Sequence, residues 1–60
     1  MNTKFKRWLT KEQITTYRVA QETGIPRTTL WEWERGKHIP RPETIKKVAD
    51  YYDVRMEDLI

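Results

Sequence analysis

Residues 24–37 read GIPRTTLWEWERGK and concentrate aromatic and charged side chains in one short segment. Two tryptophans and two glutamates fall between Pro26 and Gly36, although most of the surrounding sequence is basic. Glu32 and Glu34 do not predict a catalytic pair, because residues two apart on a helix point to different faces. Large aromatics suit either a core or a binding surface, so the segment predicts one of these two roles.

The remaining reactive residue types do not form a recognisable catalytic or metal site. His38 is the only histidine, it lies beside Pro40 in a loop, and the chain has no cysteine. Nucleophilic catalysis needs a base next to a nucleophile, and a metal site needs several converging ligands. We therefore expect no enzymatic activity, no metal and no cofactor.

The charge is unevenly distributed along the chain. Residues 1–41 hold nine Lys/Arg against four acids, a net of +5, whereas residues 42–60 hold three against five, a net of −2. This asymmetry predicts an anionic partner that meets the first two thirds of the chain. The alternative is that the charges only solvate helix faces.

Sixty residues predict one small domain, 1–60, with a core barely large enough to hold a fold. Disulfides cannot supplement that core, because cysteine is absent. No stretch has the length of a signal peptide or a membrane span, so we expect a soluble intracellular protein without membrane contact.

Helical signals dominate the first half of the chain. Apolar residues three and four apart predict an amphipathic helix with a basic outer face over 3–13. A second helix is predicted over 16–23, where Thr15 provides the cap and Gly24 a left-handed exit.

The second half continues the same pattern. Pro26 predicts the start of a third helix, which runs over 27–35 and is closed by Gly36. Residues 37–42 contain two prolines and predict a loop. A fourth helix begins at Pro42 and stops at Asp53. Residues 54–60 predict one or two last helical turns.

The two tryptophans of the third helix differ in their predicted environment. Leu30 and Trp33 share the inward face, whereas Trp31 points away and is either a core residue or an aromatic at a binding surface. The predicted core consists of the inward residues of all helices: Phe5, Leu9, Val19, Ala20, Ile25, Leu30, Trp33, Ile45, Val48, Tyr52, Val54 and Leu59.

Two helices joined by a tight glycine turn, with a basic face, are the elements of a helix-turn-helix. From Phe5 onward, the sequence resembles the helix-turn-helix family of Cro and CI repressors. The resemblance rests on Ala20, Gly24, Ile25, Leu30, the run ERGK at 34–37, Pro40, the run ETI at 43–45, Val48-Ala49 and the ending Tyr52, Val54, Leu59.

The resemblance implies an all-α, compact five-helix fold of the lambda-repressor type. It further implies a sequence-specific regulator of transcription, a Cro/CI-like repressor, that binds duplex DNA as a homodimer on a palindromic operator. The third helix would enter the major groove. The residues placed on its base-facing side are Arg27, Thr28, Glu32 and, at the groove edge, Trp31.

The resemblance also assigns backbone contacts and a cellular setting. The residues placed along the DNA backbone are Thr16, Tyr17, Thr29, Arg35, Lys37, His38 and Arg41. His38 is alternatively a solvated loop residue. The family implies a bacterial or phage protein that acts in the cytoplasm, at the nucleoid.

The sequence departs from the family pattern at four positions. Pro26 replaces a common Ser/Thr cap, Thr16 replaces a longer glutamine, and Asp53 replaces a frequent glycine. In many relatives the glutamate at the position of Glu34 pairs with an arginine of the first helix. Here the corresponding position is close to Leu9, so the Glu34 side chain is expected to find another partner or to hydrogen-bond only to backbone groups.

A protein-interaction or antitoxin-like module with the same fold is the competing interpretation. Trp8, Tyr17 and Trp31 would then form an exposed docking surface. The two functions differ in salt dependence, because affinity for DNA falls steeply with added salt.

Overall fold

The computed structural model describes residues 3–60, and within that range it contains helices and no strands. Four α-helices and one 3-10 turn follow in order: α1 (Lys4–Glu12), α2 (Thr16–Thr23), α3 (Arg27–Glu34), α4 (Pro42–Tyr52) and the turn Met56–Asp58. The all-helical prediction is confirmed. The predicted count of five helices is not matched.

Side-chain caps and left-handed residues delimit α1 and α2. The hydroxyl of Thr3 accepts from the backbone N–H of Lys6 at 3.0 Å, and that of Thr15 accepts from Arg18 at 3.2 Å. These bonds satisfy N–H groups that a helix start leaves without partners. At the other ends, Gln13 and Gly24 adopt φ values of 58° and 79°, so the predicted exit at Gly24 is confirmed.

Prolines begin the two later helices. Pro26 is the residue before α3 and makes no side-chain cap bond, and Pro42 occupies the first turn of α4. The fixed φ of proline suits both places, since the N–H that it lacks has no intrahelical partner there. Asp53 ends α4 in the left-handed region with φ 56°, as predicted from its position.

The chain after α4 forms a single 3-10 turn, which corrects the expectation of a fifth helix. Arg55 is extended, and its N–H donates to the Asp58 carboxylate at 3.3 Å. Leu59 is buried directly afterwards, with 1 % of its surface exposed. The extended Arg55 and the buried Leu59 limit the helical part of this segment to the three residues between them. Three residues is a usual length for a 3-10 helix.

The core largely matches the prediction. Eleven hydrophobic residues are buried: Phe5, Trp8, Leu9, Val19, Ile25, Leu30, Trp33, Ile45, Val48, Ala49 and Leu59. Ala20, Tyr52 and Val54 were predicted in the core but are partly buried at its edge. Trp8 and Ala49 are additional members.

A column of aromatic rings fixes α1 against the inner side of α3. The Phe5 ring stacks on that of Trp33 with centroids 3.8 Å apart and an angle of 7° between planes. Trp8 extends the column, because its centroid lies 6.1 Å from Phe5, and Tyr52 meets Trp8 edge-on at 5.1 Å. Trp8 is only 8 % exposed. The expectation that it belongs to an exposed docking surface is therefore wrong.

A polar network connects α2 to α4. The Tyr52 hydroxyl donates to Glu22 Oε1 at 2.8 Å, and Arg18 Nε donates to Glu22 Oε2 at 3.0 Å. The hydrogen bonds from Arg18 and from Tyr52 lower the pKa of the Glu22 carboxyl. Desolvation and the same carboxylate raise the pKa of Tyr52 well above its usual range. Both effects keep Glu22 charged and Tyr52 neutral, so the network holds α2 in place.

Candidate nucleic-acid interface

The turn between α2 and α3 sets the position of the third helix. The N–H of Gly24 donates to the Ala20 carbonyl at 2.8 Å. A Cβ at Gly24 would meet no atom within 4 Å, so its positive φ alone favours glycine. Ile25 is 6 % exposed. Its N–H donates to the Thr23 hydroxyl at 3.4 Å, which in turn donates to the Val19 carbonyl at 2.7 Å.

The two faces of α3 separate as the sequence predicts. Leu30 is fully buried and Trp33 is 2 % exposed, so this face packs into the core. Arg27 and Thr28 are exposed at the first turn, and Glu32 is half-buried one turn later. The inner face is thus committed to the fold, and the outer face is available for a partner.

Three residues spaced by four form a line along the outer face of α3. Arg27, Trp31 and Arg35 lie on this line, which we call the outer stripe. All three are exposed, and Trp31 shows 42 % of its surface. The prediction that Trp31 points away from the core is confirmed. Its alternative placement in the core is wrong, because that side of α3 carries Leu30 and Trp33.

Each arginine of the outer stripe lies over an aromatic ring. Arg27 Cζ is 5.6 Å from the ring centroid of Tyr17, the second residue of α2. Arg35 Cζ is 4.3 Å from the ring centroid of Trp31, and Lys37 Nζ is 5.5 Å from the same centroid. These are cation–π distances, which restrict the cations while leaving them at the surface. The outer stripe therefore presents positive charge that lies beside aromatic rings.

The end of α3 is closed by two backbone bonds that also place the following loop. Gly36 is left-handed with φ 75°. Its N–H donates to the Trp33 carbonyl at 3.1 Å, and the N–H of Lys37 donates to the Glu32 carbonyl at 2.8 Å. This is a Schellman arrangement, in which a left-handed glycine lets two free carbonyls find donors. Lys37 and His38 consequently continue from the helix end as exposed residues.

The loop from α3 to α4 combines a buried proline with exposed residues on either side of it. Pro40 is buried, whereas Ile39 is 70 % exposed. Arg41 is exposed, and its carbonyl accepts from Thr44 at 2.9 Å and from Ile45 at 3.1 Å. The backbone of Arg41 is therefore fixed at the start of α4, while its guanidinium stays at the surface.

Two threonines assigned to the DNA backbone are less accessible than the stripe. Thr16, the first residue of α2, and Thr29, in the first turn of α3, are both half-buried. Tyr17, which lies in α2 beside the outer stripe, is more exposed, at 58 %. These residues can offer hydroxyls to a partner, but only from the edge of the outer face.

Lys6 is a surface cation near the interface that was not singled out from the sequence. It lines an open groove with Trp31, Glu34 and Arg35. The Thr3 hydroxyl donates to the Glu34 carbonyl at 3.1 Å, which ties the start of α1 to the end of α3. The basic outer face of the first helix was the sequence signal for a cation here. Which lysine of that face lies beside α3 depends on how the two helices pack.

The two contacts that the sequence left open for the Glu34 carboxylate, an ion pair or a hydrogen bond to backbone, are not found among residues 3–60. Among residues 3–60, ion pairs within 4 Å join Arg18 to Glu22 and Lys46 to Asp50, and neither involves Glu34. Its carbonyl instead accepts from Thr3, as described above.

No group of three or more His, Cys, Asp or Glu side chains in residues 3–60 is arranged to hold a metal ion. None of the helices in the same range combines the length and the apolar character needed to cross a bilayer.

Comparison with known proteins agrees with this geometry. The model of the family described as Helix-turn-helix matches residues 6–59. The HTH-type transcriptional activator BcrR of Enterococcus faecalis is 27% identical over 59 residues, which cover 98% of this chain and 29% of that protein. The chain thus spans less than a third of the length of this relative. No solved structure matches. Because the family match extends over nearly the whole sequence, the chain belongs to the helix-turn-helix family of the Cro and CI type.

Proposed function

We propose that this chain is a sequence-specific regulator of transcription that binds double-stranded DNA with α3 in the major groove. The observation that carries the proposal is the outer stripe, where exposed arginines run along the face of α3 opposite its buried residues. Membership of the helix-turn-helix family supports it, as does the likeness to a protein named as a transcriptional activator.

Base reading is proposed for the first turns of α3. Arg27 can make a bidentate contact to guanine, Thr28 offers a hydroxyl and a methyl, and Glu32 can accept from the amino group of cytosine. Trp31 would stand at the groove edge against the sugar-phosphate wall. The side chain of Pro26 cannot cap this helix, so the first N–H groups of α3 remain available to a nearby phosphate.

Backbone binding is proposed for residues around this centre. Thr16 and Tyr17 would contact one phosphate strand from α2, and Thr29 and Arg35 would do so from α3. A further group lies in the loop after α3: Lys37, His38 and Arg41. Such contacts set the position of the protein on DNA without reading its sequence.

The proposal extends to assembly and to regulatory effect. A chain of this size offers one recognition helix, so a homodimer on a palindromic operator would double the base contacts. We propose repression by occlusion of a promoter, in the cytoplasm of a bacterium or phage host. The activator name belongs to the relative, and a reporter with the operator placed at or upstream of the promoter separates the two effects.

The protein-docking interpretation has lost part of its support. Of its three aromatics, Trp8 is buried. Tyr17 and Trp31 are exposed, but cations lie over both rings. A surface that combines aromatic rings with arginine and lysine fits an anionic polymer better than an apolar partner.

Selection from a random duplex library tests the proposed function. We expect enrichment of a two-fold symmetric site. The affinity for this site should fall steeply between about 50 and 200 mM salt, with a slope on logarithmic axes that is roughly proportional to the number of phosphates contacted. Failure to enrich any duplex, together with an interaction that is insensitive to salt, would favour the protein-docking module.

A further inference from the structure

We infer that Tyr17 is a positioning residue for Arg27 and thereby determines the base preference of α3. This inference rests on the proposed function and goes beyond it, since Tyr17 was expected only to contact the DNA backbone. The observation is the placement of Arg27 Cζ 5.6 Å from the Tyr17 ring centroid.

Tyr17 is not needed to build the core. Its side chain is 58 % exposed, although an aromatic ring gains most from burial. The ring therefore stands at the surface in contact with the one arginine that the proposal assigns to base reading. Neither of the two ion pairs among residues 3–60 includes Arg27, so no carboxylate there draws it away.

The geometry of an arginine over a ring favours base reading. A guanidinium can lie over a ring through its flat face, and its N–H donors then point outward in the plane of the group. These donors stay available for O6 and N7 of guanine. An arginine that is already restricted loses less freedom on binding, so the ring raises affinity only where Arg27 makes its specific contact.

The second arginine pair supplies an internal comparison. Arg35 lies 4.3 Å from the centroid of Trp31, at the far end of the outer stripe. The same chemistry at this end would hold a cation toward the phosphate backbone. Loss of the Trp31 ring should therefore weaken binding to every duplex alike, whereas loss of the Tyr17 ring should act on the preferred duplex.

The experiment compares binding to the library-selected duplex with binding to a scrambled duplex of the same composition. Tyr17→Leu should lower the ratio of the two affinities about two- to fivefold, the range expected of one exposed cation–π contact. Tyr17→Phe keeps the ring and should hold the ratio within about twofold. Trp31→Leu should reduce both affinities and leave the ratio unchanged. In an Arg27→Ala background, Tyr17→Leu should produce no further change in the ratio.

Several outcomes would overturn the inference. If Tyr17→Leu weakens binding to both duplexes equally, Tyr17 contacts the DNA backbone and does not position Arg27. If Tyr17→Phe lowers the ratio of the two affinities as much as Tyr17→Leu does, the effect belongs to the hydroxyl and not to the ring. If Tyr17→Leu still lowers the ratio of the two affinities in the Arg27→Ala background, Tyr17 does not act through Arg27.

A measurement without DNA keeps the inference distinct from the proposed function. The Tyr17 ring should shift the NMR resonances of the Arg27 δ-protons, and Tyr17→Leu should abolish that shift while Tyr17→Phe preserves it. If the wild-type protein shows no DNA preference, the proposed function fails. If the Arg27 resonances are the same in wild type and Tyr17→Leu, the positioning contact itself is absent.

Discussion

The ring of Phe5 stacks on the ring of Trp33 with centroids 3.8 Å apart, and this contact joins α1 to the inner side of α3. Both residues are essentially buried. Because Trp33 is committed to the core, its neighbours on the other side of the same helix are directed to solvent. The packing of one tryptophan thus determines which face of α3 is left at the surface.

Trp33→Ala should destabilise the protein by roughly 3–5 kcal/mol, since it removes a large buried ring from a small core. A 60-residue domain has little more stability than that, so we expect almost no cooperative unfolding transition in calorimetry. Trp31→Ala is the matched control two residues away. Trp31 is 42 % exposed, and its truncation should cost about 1 kcal/mol or less. Similar melting temperatures for both variants would show that Trp33 is not a core residue.

The hydrogen bonds from Arg18 and Tyr52 to Glu22 should make the stability of the protein depend on pH. Since its folded pKa is lowered from the ordinary 4.5, Glu22 stabilises the fold above the unfolded pKa, and the contribution is lost as the pH falls through the folded value. Glu22→Gln should therefore lower the melting temperature at pH 7 and approach the wild type at acid pH. Lys46 and Asp50 form an exposed pair that provides a control, because Asp50→Asn should have a smaller effect. A Glu22→Gln difference that is constant with pH would exclude this role.

Lys37→Ala should weaken binding to all DNA sequences about equally and lower the salt slope by about one unit. The reason is the placement of Lys37 directly after the helix end, beside the Trp31 ring. Titrations of selected and scrambled duplexes over a range of salt concentrations measure both quantities. A change in base preference at constant salt slope would move Lys37 from the backbone to the bases.

Lys6 and Lys11 test whether α1 takes part in the interface. Both are exposed lysines of α1, but Lys6 lines a groove with Trp31 and Arg35, whereas Lys11 lines another groove with Asp58. Lys6→Ala should lower the salt slope of DNA binding by about one unit, and Lys11→Ala should leave it nearly unchanged. Equal effects of the two variants would mean that only the total charge of the protein matters.

Most of the fold could be predicted because local signals were strong and agreed with one another. Thr15 and Gly24 bracket α2 through a cap and a left-handed exit, and both follow from backbone preferences within a few residues. Asp53 was recognised as a helix stop for the same kind of reason. The 3-10 turn was missed, because three residues carry too little periodicity to distinguish it from a short α-helix.

The candidate site could be predicted less completely. The exposed side of α3 followed from its inward residues Leu30 and Trp33, but the placement of Arg27 over Tyr17 depends on how α2 and α3 cross. The burial of Trp8 and the approach of Lys6 to Trp31 likewise depend on the packing of α1. Contacts between helices are set by tertiary geometry, which hydrophobic spacing within each helix does not specify.

The central claim, that α3 reads bases in the major groove, is tested most directly by alanine variants of its outer face. Arg27→Ala, Thr28→Ala, Trp31→Ala and Glu32→Ala are each titrated with the selected and the scrambled duplex at two salt concentrations. Arg27→Ala should lose roughly 1–3 kcal/mol on the selected duplex and much less on the scrambled one, because a bidentate guanine contact discriminates between sequences. Thr28→Ala and Glu32→Ala should also lose preference, and Trp31→Ala should lose affinity for both. Equal losses on the two duplexes for all four variants would contradict the claim and favour protein docking.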